Sequence, residues 1–115
     1  LSALYRDKNE VFICRNGDGF YRIARRDILY FASDRRQIQC VTAGRTYRFY
    51  GKLDEVEQAL ADTHFVRIHQ RYLVNARAVE RIDSGEVTLQ EGASLPISRS
   101  YQAAAMAALT RVMLE

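Results

Sequence analysis

Tryptophan is absent from the 115 residues, proline occurs once, and lysine, histidine, cysteine and methionine occur twice each. A helix needs roughly 20 apolar residues to cross a bilayer, and no apolar run here approaches that length, so a soluble, cytoplasmic domain is expected. Cys14 and Cys40 each sit inside an alternating apolar run, VFICR and QIQCV, where a free cysteine behaves as a small hydrophobe. Both are read as buried thiols. A bridge between them would require neighbouring strands, and no secretory signal favours an oxidising compartment.

The same scarcity argues against catalysis. His64 and His69 stand five residues apart across a helix-to-strand junction, which does not put both rings on one face, so no metal site is expected. The ring of His69 is better suited to hydrogen-bonding backbone at a strand end. Ser98 and Ser100 have no histidine spaced to act as base. Gly17-Asp18-Gly19 is followed by a strand pattern rather than a helix, so it is no phosphate cradle. Neither an enzyme nor a cofactor is predicted.

What the chain has is alternation and arginine. Its 115 residues are enough for one core. Seventeen basic residues face fourteen acidic ones, and with only two lysines fifteen of the seventeen are arginine. Arginine pairs bidentately with phosphate and with guanine edges. Short segments rich in Val, Ile, Tyr and Phe, bounded by Gly, Asp, Asn and Ser, predict a mainly β fold with strands over 10–15, 20–24, 27–32, 37–42, 45–50, 65–69, 72–74, 78–82, 86–90 and 93–97. Asn16-Gly17-Asp18-Gly19 reads as a hairpin turn, and the sole proline, Pro96, predicts an edge or bulged strand. A short helix is expected over 52–62, where Leu53, Val56, Ala59 and Leu60 form a stripe opposite Asp54, Glu55, Glu57 and Gln58. That acidic face would repel DNA and is expected on the back of the domain. A C-terminal helix is expected over 101–113, capped by Ser98 or Ser100.

Polar side chains interrupt the apolar segments in three places: Arg35, Arg36 and Gln37; His69, Gln70 and Arg71; Ser98, Arg99 and Ser100. Each cluster joins segments that must be buried, so its side chains are left pointing outward from connections or strand ends. Arginine reads guanine or clamps phosphate, glutamine pairs bidentately with adenine, and serine serves base edge or backbone. That chemistry suits double-stranded DNA. Single strands and RNA call for exposed aromatics as stacking platforms, and Tyr72 and Tyr101 instead continue the apolar periodicity.

The segments Asp27-Ile28-Leu29-Tyr30-Phe31, KLDEVEQAL, FVRIHQRYLVNARAVERI and EVTLQEGASLPISRSY together resemble the signature of the LytTR family, DNA-binding output domains of bacterial response regulators. The resemblance is strongest over residues 23–109. It implies an elongated, antiparallel, sandwich-like β fold whose loops enter successive major grooves and read direct-repeat half-sites. Carried over by position, Arg35, Arg36 and Gln37 form the first recognition loop, Gln70 and Arg71 after His69 the second, and Arg99 with Ser98 and Ser100 the third. Asn75 matches a strand-end asparagine expected to fix a turn. Ala32 stands where the family has an acidic residue and Arg71 where it has serine.

The chain starts at Leu1 and ends in Leu114-Glu115, so a piece of a longer regulator is expected, with a receiver, sensory or membrane part upstream and a second copy beside it on DNA. The competing reading is a β-rich protein-interaction or ligand-sensing module on the same scaffold.

Overall fold

Val, Ile, Phe and Tyr in a period-two pattern can bury one face of a pleated ribbon, and the strands form where that pattern falls. The computed structural model describes residues 10–61 and 63–115. The chain runs β1 (Val11–Asn16), β2 (Gly19–Ala24), β3 (Ile28–Asp34), β4 (Gln37–Thr42), β5 (Thr46–Tyr50), α1 (Leu53–Ala59), β6 (Phe65–His69), β7 (Tyr72–Asn75), β8 (Val79–Ile82), β9 (Glu86–Leu89), β10 (Ser94–Pro96) and α2 (Gln102–Met113), with 3-10 turns at Arg25–Asp27, Ala76–Ala78 and Arg99–Tyr101. Residues 1–9 of the expected domain, and Asp62 at the expected end of the first helix, lie outside the described residues. Among the described residues no helix is long and apolar enough to cross a membrane.

The centre is a five-stranded antiparallel sheet in the order β5-β4-β3-β7-β6. Because side chains alternate across it, it feeds two cores. Phe31, Ile38, Cys40 and Leu73 point to one side and pack with Cys14 and Ile23 of the β1–β2 hairpin and with Leu53, Val56 and Leu60 of α1 and its end. Ile68 and Val74, with Tyr30, Val66 and Tyr72, point to the other side, against Val87, Leu89 and Leu95 of the β8–β9–β10 sheet and Ala105 and Leu109 of α2. Phe31 is fully buried and meets Phe12 edge-on at 4.9 Å between ring centroids; truncating such a phenylalanine costs about 3–5 kcal/mol. This is the mainly β, antiparallel, sandwich-like arrangement with two helices that the sequence predicts. The described residues span 38 × 36 × 25 Å.

Local chemistry explains the joints. The β1–β2 hairpin pairs Asn16 with Gly19 across two residues, and Gly19 carries a φ of +134° that side chains avoid. Pro96 lies on β10, which pairs with β9 alone, so the missing N–H falls on an edge as expected. Two details differ from expectation. Helix α1 stops at Ala59. Neither serine caps α2 with its side chain: Arg99–Tyr101 already form a 3-10 turn, the Tyr101 N–H donates to the Ser98 carbonyl at 3.1 Å, and the Ser98 and Ser100 hydroxyls lie 3.4 Å apart.

Candidate nucleic-acid interface

All three polar clusters sit around the same end of the central sheet. β3 and β4 are joined there by a two-residue turn, since Asp34 pairs with Gln37, leaving Arg35 and Arg36 at the apex. Both are exposed and Gln37 is half-buried. Arg35 has a φ of +60°, the left-handed region that costs an L side chain about 1–2 kcal/mol. The Arg36 carbonyl accepts from Gly51 N at 3.1 Å, which ties the turn to the end of β5.

The second cluster is the β6–β7 turn beside it. Ser33 N donates to the Arg71 carbonyl at 2.9 Å, joining the end of β3 to this turn. His69 Nδ1 accepts from Arg71 N at 3.0 Å, so the imidazole fastens backbone, as its strand-end position suggests, and the neutral ring keeps its N–H on Nε2. Its ring also packs on Tyr72, with centroids 5.3 Å apart. Gln70 and Arg71 are exposed. A bulge between Arg67 and His69 turns the strand end outward.

The third cluster leans on the second. Ser98 N donates to the Ile68 carbonyl at 3.0 Å, setting the Arg99–Tyr101 turn against β6. Arg99 and Ser100 are exposed, Ser98 is half-buried, and the Tyr101 ring lies 5.5 Å beneath the Arg67 guanidinium.

Arg67 is the residue the sequence reading missed. Only 8 % exposed, it donates from Nε to the His69 carbonyl at 2.7 Å, from Nη2 to the Gln70 carbonyl at 2.6 Å, and from Nη1 to Asp54 Oδ1 at 2.8 Å and Glu57 Oε1 at 2.7 Å. Burial alone would lower its pKa, but the hydrogen bonds to Asp54 and Glu57 outweigh it and hold the guanidinium above its ordinary value. Two acidic residues of α1 therefore support the loop from beneath. The helix does not simply retreat to the back, because an inward-facing arginine must be paired. The signal in the sequence was a cation at an inward strand position, with carboxylates three residues apart on the preceding helix.

Asn75 behaves as expected of a turn residue. It is 5 % exposed, its Nδ2 donates to the Ile28 carbonyl at 2.9 Å, and its Oδ1 accepts from Arg77 N at 3.0 Å. Cys14 and Cys40 are free and buried in one cluster. Burial, reinforced by the other sulfur, pushes the Cys40 thiol up to about 12.

The domain thus gathers three polar, arginine-bearing turns at one end of its central sheet, a surface able to donate hydrogen bonds to an anionic or polar partner. The family model of the LytTr DNA-binding domain matches residues 18–110, and the chain belongs to that family, which is a DNA-binding and not a catalytic one. It is similar to the sensory transduction protein LytT of Enterococcus faecalis, 28% identical over 99 residues, covering 82% of this chain and 41% of that one. To LytT of Bacillus subtilis it is 23% identical over 90 residues, covering 74% of this chain and 37% of the relative. The chain thus spans well under half the length of these curated relatives. Among solved structures, the LytTr DNA-binding domain of a methyl-accepting/DNA response regulator from Bacillus cereus superposes with a TM-score of 0.74 at 21% identity, covering 88% of this chain and 96% of that one, which establishes the shared fold.

Proposed function

We propose that this domain binds double-stranded DNA sequence-specifically as the output part of a bacterial transcription regulator, with its loops in successive major grooves of direct-repeat half-sites. The supporting observation is the convergence of three exposed Arg, Gln and Ser clusters on one end of the sheet, two of them held from below by Arg67. Buried anchors leave the exposed side chains free for a partner. In this reading Arg35, Arg36 and Gln37 serve one groove, while Gln70, Arg71 and Arg99, aided by His69, Ser98 and Ser100, serve the next. The strained φ of Arg35 also fits, since left-handed non-glycine residues tend to persist where a side chain is needed at a turn apex.

One small domain with few base contacts has modest affinity, so occupancy requires two copies on one face of the duplex. A longer chain, as in the LytT relatives, would carry the part that receives the signal and sets the pairing. The test is a gel-shift series on paired half-sites whose spacer grows base pair by base pair. Occupancy should drop at about half a turn inserted and return at about a full turn, roughly 10 base pairs. Binding that ignores the spacer would sink the paired-site reading. Salt separates the competing class: phosphate contacts make affinity fall steeply with ionic strength, whereas a protein-interaction or ligand-sensing module would show no such affinity for duplex.

A further inference from the structure

We propose that a cavity at the far end of the central sheet, remote from the recognition loops, is a binding site for a small oxyanion ligand carrying a phosphate or carboxylate group. Three local features build it. The 3-10 turn that starts β3 supplies Arg25 and Arg26, the Asn75 turn at the end of β7 supplies Arg77, and the turn before β6 supplies His64. Together with apolar walls from Leu29 and Phe65 they line a half-open cleft of about 810 Å³, within the range of about 300–1,000 Å³ typical of ligand sites.

The electrostatics call for an anion. Glu10 is the one carboxylate among the described lining residues, set against three arginines. Among the described residues neither Arg25 nor Arg26 has an ion-pair partner. The Nε of Arg25 is buried without any hydrogen-bond partner, the only such side-chain atom among the described residues. Its backbone is meanwhile fixed, with the Arg25 N–H donating to the Glu10 carbonyl at 2.7 Å. Partial burial pushes this guanidinium below its ordinary value. Native buried donors are nearly always satisfied, and an orphan points to a missing water or ion.

An exposed carboxylate outside the cavity already meets two of its lining side chains. Glu115 Oε1 lies 3.4 Å from His64 Nε2 and 3.7 Å from Arg77 Nη2, so two lining side chains converge on one oxygen. Those distances exceed the roughly 2.7–2.9 Å of a close charge-assisted hydrogen bond, and a better-placed oxyanion can displace the side chain. The volume is several times that of phosphate, so the anionic group would be one end of an organic molecule whose remainder lies on Leu29 and Phe65. Leu29, Phe65 and Asn75 belong to the strands that carry the recognition loops at their opposite ends, about 20 Å away along β3.

The experiment is an NMR titration of ¹⁵N-labelled protein with sodium phosphate and, in a separate arm, sodium succinate, with sodium chloride lowered in step to hold ionic strength constant. The expected result is saturable shifts at the Arg25 side-chain N–H and at the amides of Arg26, His64 and Arg77, with a dissociation constant on the order of millimolar for so small a fragment. Tighter saturation by phosphate assigns a phosphate ester as the natural ligand, and tighter saturation by succinate a carboxylate. Arg25→Ala should weaken binding about tenfold, the value of one charge-assisted hydrogen bond. Glu115→Gln should tighten it by removing the resident competitor, while Glu86→Gln, the same charge change on β9, leaves it unchanged. Should Arg25→Ala unfold the domain, Arg77→Ala in the exposed turn takes its place. Shifts that rise without saturation, that spread equally to Arg35 and Arg99, or that survive the Arg25 and Arg77 substitutions in folded protein would overturn the proposal. None of these outcomes depends on whether the domain binds DNA.

Discussion

The guanidinium of Arg67 donates from Nη2 to the main-chain oxygen of Gln70 at 2.6 Å, placing a buried cation directly under an exposed glutamine of the β6–β7 turn. Nη1 of the same group lies between Asp54 and Glu57 at 2.8 and 2.7 Å. One side chain thus joins α1, the β6–β7 turn and, through the Tyr101 ring, the turn that carries Arg99. The loop shape depends on four hydrogen bonds that only a planar fork can make together.

Arg67→Lys keeps the charge and loses the fork. Two loop carbonyls would be left to water or to nothing, and urea unfolding should show a loss of about 2–3 kcal/mol. Amide exchange at Gln70 and Arg71 should accelerate more than in the core strands. Equal protection of the loop in both proteins would contradict the anchoring role.

Arg35→Gly should make the domain more stable and a poorer DNA binder at once. The left-handed φ of +60° costs arginine about 1–2 kcal/mol, offset by glycine's greater unfolded entropy of roughly 0.5–1 kcal/mol, so the net gain is about 0–1.5 kcal/mol. Thermal melting and a gel shift on the same preparation check both halves. If duplex affinity stays unchanged, the strain at Arg35 serves something other than contact.

Gln70→Ala and Arg99→Ala should separate reading from holding. Gln70 is neutral and exposed, so its loss should change the preferred base at one half-site position more than it lowers affinity for random duplex. Arg99→Ala should cost about 1–3 kcal/mol on specific sites with the fold intact. Competition against a randomised-position library measures the first, and titration with circular dichroism control the second. Equal losses on specific and random DNA would remove Gln70 from the list of readers.

Cys40 sets a limit at alkaline pH. Its folded pKa is raised to about 12 from an ordinary 9.0 by burial. A raised value means that the thiol's contribution is fully present below pH 9 and is lost progressively as pH climbs toward 12, where the unfolded chain releases the proton first. One such group lowers stability by up to about 1.4 kcal/mol per pH unit inside that window. Urea midpoints at pH 8 and pH 10.5 should therefore fall further in the native protein than in Cys40→Ala, which starts less stable because of its cavity. Parallel declines in the two proteins would count against the shift. Native protein at neutral pH should also resist thiol reagents.

The sequence determined the elements. Alternation at Ile38 and Cys40, or at Tyr47 and Phe49, specifies which side of β4 and β5 is buried, because a pleated strand has only two faces. Turn residues placed the joints, with Asn16 to Gly19 closing a hairpin and Asn75 bridging the Ile28 carbonyl and the Arg77 amide. The three polar clusters were visible for the same reason: a charged run between buried segments has nowhere to go but outward. Tertiary structure decided whatever depends on residues far apart in the chain. That Asp54 and Glu57 meet Arg67, that Ser33 joins Arg71 and Ser98 joins Ile68, and that Arg25, His64 and Arg77 surround one cavity are consequences of how the strands order as β5-β4-β3-β7-β6. Local pattern carries the periodicity of each element, but pairing order is set by the whole chain's burial, so contacts between elements exist only once the sheet is assembled.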